Sequence, residues 1–260
     1  MNYKSIFLAI ALLTLPAILH AAVIEKTVEY KQGDAVLEGY LAYDESLSSL
    51  RPGVIVVHDW KGLNDYAKSR TRQLAELGYV AFAADIYGKG RRAKDHEEAG
   101  KLAGAYKNDR NLMRARAKAA LDFLKAQPNV DPEKIAAIGY CFGGTAVLEM
   151  ARAGFDLKGV ASFHGGLETP LPAHKGAIKA KIRVYHGAAE IFVTPAEVEA
   201  FKKEMTDAGA DFQFHAFEGA VHAFTVPDAG NDPSTGAAYN EKADKESWAM
   251  LMDFFKEIFA

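Results

Sequence analysis

The sequence predicts an α/β fold: a mostly parallel sheet with helices on both faces and an N-terminal antiparallel hairpin. Three observations predict it. Short, continuous apolar runs such as Gly53–Val57 and Tyr79–Ala84 have the composition of strands buried on both faces. Longer stretches with helical spacing separate these runs, so strands and helices alternate along the chain. The opening segments, Val23–Tyr30 and Ala35–Tyr43, instead alternate apolar and polar residues around a Lys31-Gln32-Gly33-Asp34 turn, the pattern of a hairpin.

The elements follow in order. After the hairpin and the Gly53–Val57 strand, Asn64 to Leu77 has helical spacing and stops at Gly78. Tyr79–Ala84 is the next buried strand. Asp109 to Ala126 is a long amphipathic helix, ended by Pro128. A strand from Lys134 to Tyr140 leads into a helix that runs through Arg152. Leu157–Phe163 and Lys181–His186 are further strands. Pro195–Ala208 is a helix with proline in its first turn. Asp211–Phe217 is the last strand and Glu241–Phe259 the last helix. Ligands in such folds sit beyond the carboxyl ends of the strands.

The ends and the composition bound the function. Lys4 precedes an apolar core from Ile6 to Leu19, and Ala21-Ala22 offers small residues for cleavage. This reads as a secretory signal peptide over residues 1–22. The core is shorter than the ~20 residues that a spanning helix needs, so no stable membrane span is expected once it is removed. Residues 23–260 then form one domain, secreted or periplasmic. The formal charge is −3 with no basic tract carrying interleaved aromatics, which gives nucleic-acid binding no support. No cysteine and histidine cluster has ligand spacing, so no metal or other cofactor is expected.

The chemistry centres on Gly139-Tyr140-Cys141-Phe142-Gly143-Gly144, where a buried strand meets a helix through a Gly-x-Cys-x-Gly turn. This is a nucleophile elbow with a thiol in place of the commoner serine. Side chains at Gly139 and Gly143 would crowd the turn. Cys141 is the only cysteine, so no intrachain disulfide can form. A lone free cysteine is usually a small buried hydrophobe; its place between two elbow glycines argues for a nucleophile. The absence of a resolving cysteine argues against a redox-sensing thiol.

A cysteine nucleophile needs a base and a group that orients the base. Of the eight histidines, His222 lies just beyond the last strand and completes the order nucleophile, acid, histidine. His58, His164 and His186 stand at strand ends and read as loop-packing residues. Glu190, the only carboxylate in the loop between Tyr185 and Val193, is the acid candidate; Glu168, one loop earlier, is its rival. The oxyanion hole needs two N–H donors. Phe142 supplies one, and Trp60, in the loop after Gly53–Val57, is the candidate for the other. Asp59 beside it faces the same crevice, although a turn or helix cap is the commoner role for an aspartate there.

Together these residues resemble the dienelactone hydrolase family of α/β-hydrolases. The matching blocks are Val56-Val57-His58-Asp59-Trp60-Lys61-Gly62-Leu63-Asn64, Ala84-Asp85-Ile86-Tyr87-Gly88, Gly139 to Gly144, His186-Gly187 to Val193, and Gly219-Ala220-Val221-His222-Ala223-Phe224. The resemblance implies a Cys-His-acid triad that cleaves small esters or lactones through a cysteine acyl-enzyme. It also implies an acidic residue at Asp59 that contacts the resting thiol and modulates its ionisation. Two features depart from the family pattern, the acid and the substrate clamp. Glu190 stands where Asp is usual. Lys89, the substrate-binding candidate, and Val226 stand where dienelactone-cleaving members hold a substrate carboxylate between two arginines, which argues against dienelactone itself. The altered acid leaves one alternative, a weakly active or non-catalytic scaffold that binds a small ligand in the same pocket.

Overall fold

β1 (Val23–Gln32) and β2 (Ala35–Asp44) form the expected hairpin, paired antiparallel from Val23 with Asp44 to Gln32 with Ala35. This is a computed structural model that describes residues 23–260, so the expected leader lies outside the described residues. β3 (Arg51–Val57), β4 (Val80–Ala84), β5 (Val130–Tyr140), β6 (Gly159–Phe163), β7 (Lys181–Gly187) and β8 (Phe212–Phe217) complete one sheet. Its strand order is β1-β2-β4-β3-β5-β6-β7-β8. β2 meets β4 antiparallel; every pairing from β4 through β8 is parallel.

The apolar runs are continuous because both faces of the sheet are covered. Ile55, Val57, Phe82 and Ala84 pack on one side with Leu121 and Leu124 of α3 (Arg110–Lys125), Val147 of α4 (Phe142–Arg152) and Phe201 of α5 (Pro195–Ala208). Val54, Val56, Ala81 and Ala83 pack on the other with Leu74 of α1 (Asp65–Glu76) and with Phe254 and Phe255 of α6 (Glu241–Phe259). Successive strand side chains point to opposite faces, so a strand sandwiched between helix layers is apolar at every position.

Local signals set the helix ends. Asn64 and Asp109 cap α1 and α3, accepting from the N–H groups of Ala67 and Leu112. Thr194 and Glu197 form a reciprocal capping box on α5, which stops at a left-handed Gly209. One helix was not expected, α2 (His96–Lys107). Gly100 and Gly104 weaken its propensity, and only Ala99, Ala103 and Tyr106 are buried, so its apolar stripe is thin. No helix among the described residues is long and apolar enough to cross a membrane.

The parallel register aligns the strand ends. Val57 pairs with Gly139, Tyr140 with Phe163, Phe163 with Tyr185, and Gly187 with Phe217. The loops carrying Trp60, Cys141, Glu190 and His222 therefore leave the sheet along one rim.

Candidate active site

β5 ends at Tyr140 and α4 begins at Phe142, so Cys141 alone makes the turn, at φ 54° and ψ −114°. A positive φ is costly for a side-chain-bearing residue, roughly 1–3 kcal/mol, and persists only when its surroundings enforce it. A β carbon at Gly139 would lie 2.0 Å from the Gly143 carbonyl oxygen, and one at Gly143 would lie 2.2 Å from that of Val57. The turn is therefore open only to glycine at both places. The Cys141 N–H is shared between the Phe163 carbonyl at 3.0 Å and Nδ1 of His164 at 3.2 Å.

His164 is fully buried, itself at φ 40°. Its Nδ1 accepts from Cys141, so Nε2 carries the proton, 2.8 Å from Thr225 Oγ1. Burial first, then the adjacent His222, pushes its pKa well below the ordinary histidine value. It is a neutral strut beneath the elbow.

His222 leaves the end of β8 in a loop pinned by its own backbone, its N–H donating to Gly236 and its carbonyl accepting from Ala238. Nδ1 of its ring is 2.7 Å from Oε2 of Glu190, whose side chain is only 1 % exposed. The Cys141 sulfur is close enough to the same ring to favour its charged form. With Nδ1 facing Glu190, Nε2 is the nitrogen on the sulfur side. Burial disfavours the imidazolium, but the Cys141 sulfur and the Glu190 carboxylate outweigh it and push His222 up to about 10. Burial also opposes the charge on Glu190, yet the bonds from His222 and from the Phe192 N–H hold its pKa below the ordinary glutamate value. The extra methylene relative to Asp does not break the chain of contacts. Glu168 is exposed, and its backbone carbonyl accepts from Arg110.

Phe142 N–H opens α4, where unpaired first-turn N–H groups and the helix dipole favour negative charge. Trp60 lies in the loop after β3. Among the described residues no turn or loop hydrogen bond uses either N–H. Asp59 is taken up locally: Oδ1 accepts from Lys61 N–H at 2.7 Å and Oδ2 from the Asn64 side chain at 2.9 Å. Lys89 lies apart from this cluster, its ammonium paired with Glu29 on β1 and its N–H bonded to Val36 on β2.

His58, read from sequence as a loop-packing residue, is fully buried and bonds the loop backbone: its ring lies 2.6 Å from the Asp59 carbonyl oxygen and accepts from Ile86. Tyr87, unremarked from sequence except as part of a matching block, donates its hydroxyl to the Trp60 carbonyl at 3.0 Å. Their sequence signals were position, at the rim where parallel strands end, and membership of the matching blocks. In the loop after Glu190, Ile191 and Phe192 are 65 % and 60 % exposed, and the Phe192 ring stands edge-on 5.4 Å from that of His222. No group of three or more potential metal ligands occurs among the described residues.

Comparison with known proteins agrees with this architecture. The model of the dienelactone hydrolase family matches residues 37–259. A solved structure named m3DLH superposes with a TM-score of 0.88 at 39 % identity, covering 92 % of this chain and all (100 %) of that one. The crystal structure of P91, a dienelactone hydrolase-like promiscuous phosphotriesterase from metagenomic libraries, superposes with a TM-score of 0.85 at 39 % identity, covering 91 % of this chain and 99 % of that one. A Synechocystis protein provisionally named carboxymethylenebutenolidase is 27 % identical over 85 % of this chain and 91 % of its own length. With a family match across nearly the whole described chain, on a sheet of the same architecture, this protein belongs to the dienelactone hydrolase family of α/β-hydrolase enzymes.

Proposed function

We propose that the protein hydrolyses small esters or lactones through a cysteine acyl-enzyme, with Cys141 as nucleophile, His222 as general acid and base, and Glu190 as the orienting acid. The observation that carries this reading is the continuous chain from the strained Cys141 through His222 to Glu190, closed by a 2.7 Å bond. The Cys141 sulfur attacks the substrate carbonyl carbon as a thiolate, and the Trp60 and Phe142 N–H groups bind the oxyanion. The intermediate collapses, the C–O bond breaks, and imidazolium Nε2 gives its proton to the leaving alkoxide. In a lactone that alkoxide stays tethered to the acyl group. His222, now neutral, takes a proton from water as the water attacks the thioester, and the thiolate leaves. Glu190 holds Nδ1–H throughout, fixing the ring and stabilising each imidazolium.

Asp59, fixed by Lys61 N–H and the Asn64 side chain in the same loop as Trp60, is proposed to modulate the thiol in addition to its role in the turn, as the family resemblance implies; Asp59→Asn should then shift the pH profile of Cys141 alkylation. The substrate side favours neutral, apolar groups, since the exposed Phe192 ring stands edge-on to His222 and Lys89 is paired away from it. Export by residues 1–22 remains part of the proposal, checked by an intact mass starting near Ala22 or Val23.

The deciding experiment screens purified protein and Cys141→Ala against p-nitrophenyl esters, simple lactones and, given the P91 likeness, a neutral aryl phosphotriester. Turnover of at least one ester or lactone should vanish in Cys141→Ala together with iodoacetamide labelling. Wild-type turnover in that variant would refute the cysteine mechanism.

A further inference from the structure

We propose that His58 is a positioning residue for the oxyanion hole: by holding the Asp59 carbonyl, its Nδ1–H aims the Trp60 N–H at the substrate oxygen beside Cys141. The proposal rests on the acyl-enzyme reading above.

The argument starts from the peptide bond. The Asp59 carbonyl and the Trp60 N–H belong to one planar trans peptide, so they point in opposite directions. Whatever fixes the carbonyl fixes the N–H. The structure fixes the carbonyl strongly. His58 Nδ1 lies 2.6 Å from the Asp59 oxygen, which also accepts a longer bond from Gly62 N–H at 3.3 Å.

The tautomer follows from the other side of the ring. Nε2 lies 3.2 Å from the Ile86 N–H, which can only donate. Nε2 is therefore the acceptor and Nδ1 the donor. Burial pushes the His58 pKa down, so the ring stays neutral and keeps both bonds. Ile86 follows β4 and Asp59 follows β3, so the imidazole ties two adjacent strand ends together.

The ring also touches the second donor residue. It stacks on the Phe142 side chain with centroids 5.8 Å apart and planes inclined by 13°. Tyr87 packs against it at 4.8 Å and holds the carbonyl of the next peptide, that of Trp60. Trp60 is thus anchored at both flanking carbonyls, and one buried imidazole links the two N–H groups that must converge on a single oxygen. Such donors are effective because they are oriented before charge develops.

Two substitutions separate the two bonds of the ring. In His58→Asn the side-chain amide nitrogen sits at the same distance along the chain as Nδ1, so the donor to Asp59 is kept and the Ile86 acceptor is lost. In His58→Gln the terminal amide oxygen reaches the position of Nε2, so the Ile86 acceptor is kept and the donor to Asp59 is lost. Three quantities are measured on each: kcat for the best ester, the alkylation rate of Cys141 by iodoacetamide, and inhibition by trifluoroacetophenone. Alkylation displaces iodide and needs no oxyanion hole. The ketone forms a tetrahedral thiol adduct and does need one.

His58→Gln should lose ~10²-fold or more in kcat, the usual cost of one oxyanion donor, and lose ketone affinity in parallel. Its alkylation rate should stay within about twofold of wild type, and His58→Asn should keep kcat within about tenfold. A loop-packing role alone would lower the thermal midpoint of both variants without this split. The proposal is overturned if His58→Gln keeps wild-type kcat, or if alkylation falls together with kcat. If His58→Gln does not fold, His58→Asn decides alone: retained turnover supports the donor role and lost turnover refutes it. Wild-type turnover in Cys141→Ala would instead remove the acyl-enzyme reading, so the two failures are distinguishable.

Discussion

Glu190 reaches His222 with Oε2 2.7 Å from Nδ1, from a loop that ends β7 and across to one that ends β8. The other oxygen, Oε1, accepts from Phe192 N–H at 2.8 Å, so the carboxylate is fixed at both ends. The longer side chain is built into the loop rather than strained within it.

Glu190→Gln keeps the size and removes the charge that stabilises the imidazolium. Turnover should fall by ~10²–10⁴-fold with the thermal midpoint little changed. Glu190→Asp withdraws the carboxylate by one methylene from a contact already at hydrogen-bond distance. It should cost up to ~10²-fold and still exceed Glu190→Gln. Glu168→Gln should be silent, because Glu168 faces solvent. Steady-state kinetics on the three variants checks the set; a crippled Glu168→Gln beside a silent Glu190→Gln would reassign the acid.

His222 also links stability to pH. Its native pKa, about 10, lies above the ordinary 6.5, so the folded state holds the proton more tightly than the unfolded chain. That contribution is fully present below pH 6.5 and is lost as pH rises through about 10. The thermal-midpoint gap between wild type and His222→Gln should therefore shrink across this window. A gap that widens toward alkaline pH would show that the resting pair is not ionic.

Gly143→Ala tests the elbow as a steric construction. The new β carbon would lie 2.2 Å from the Val57 oxygen and 2.6 Å from the His58 oxygen, both backbone atoms that cannot swing aside. The expected destabilisation is at least ~1–3 kcal/mol, read from urea unfolding. Any protein that folds should alkylate slowly at Cys141. A variant with unchanged stability would mean that the α4 start shifts freely.

Phe192→Ala removes an exposed ring that stands over the base. For aryl or long-chain esters kcat/KM should drop about tenfold, on the order of 1.4 kcal/mol of lost apolar contact. Acetyl esters of small alcohols should be nearly unaffected. An equal loss on both would point to disturbance of His222 rather than to substrate contact.

Much of this protein was legible as local pattern. Alternation marked β1 and β2, although residues 39–42 of β2 are buried on both faces, and unbroken apolar runs marked β3 and β4, which helices cover on both sides. Gly139 and Gly143 announced the elbow, because a β carbon at either place would lie about 2 Å from a backbone oxygen. The order Cys141, Glu190, His222 followed from which loops leave which strands. α2 was not legible: a helix with two glycines and three buried residues carries almost no periodic signal.

The hydrogen bond that joins Glu190, and not Glu168, to His222, and the contacts of His58, His164 and Tyr87, are visible only in the tertiary structure. Each depends on contacts of about 3 Å between segments far apart in sequence, set by the register that brings Val57, Tyr140, Tyr185 and Phe217 to one rim. Sequence places a side chain in a loop. Whether that side chain meets an imidazole, a peptide carbonyl or water is decided by the packing that aligns the strand ends, since a hydrogen bond is gained or lost within an ångström.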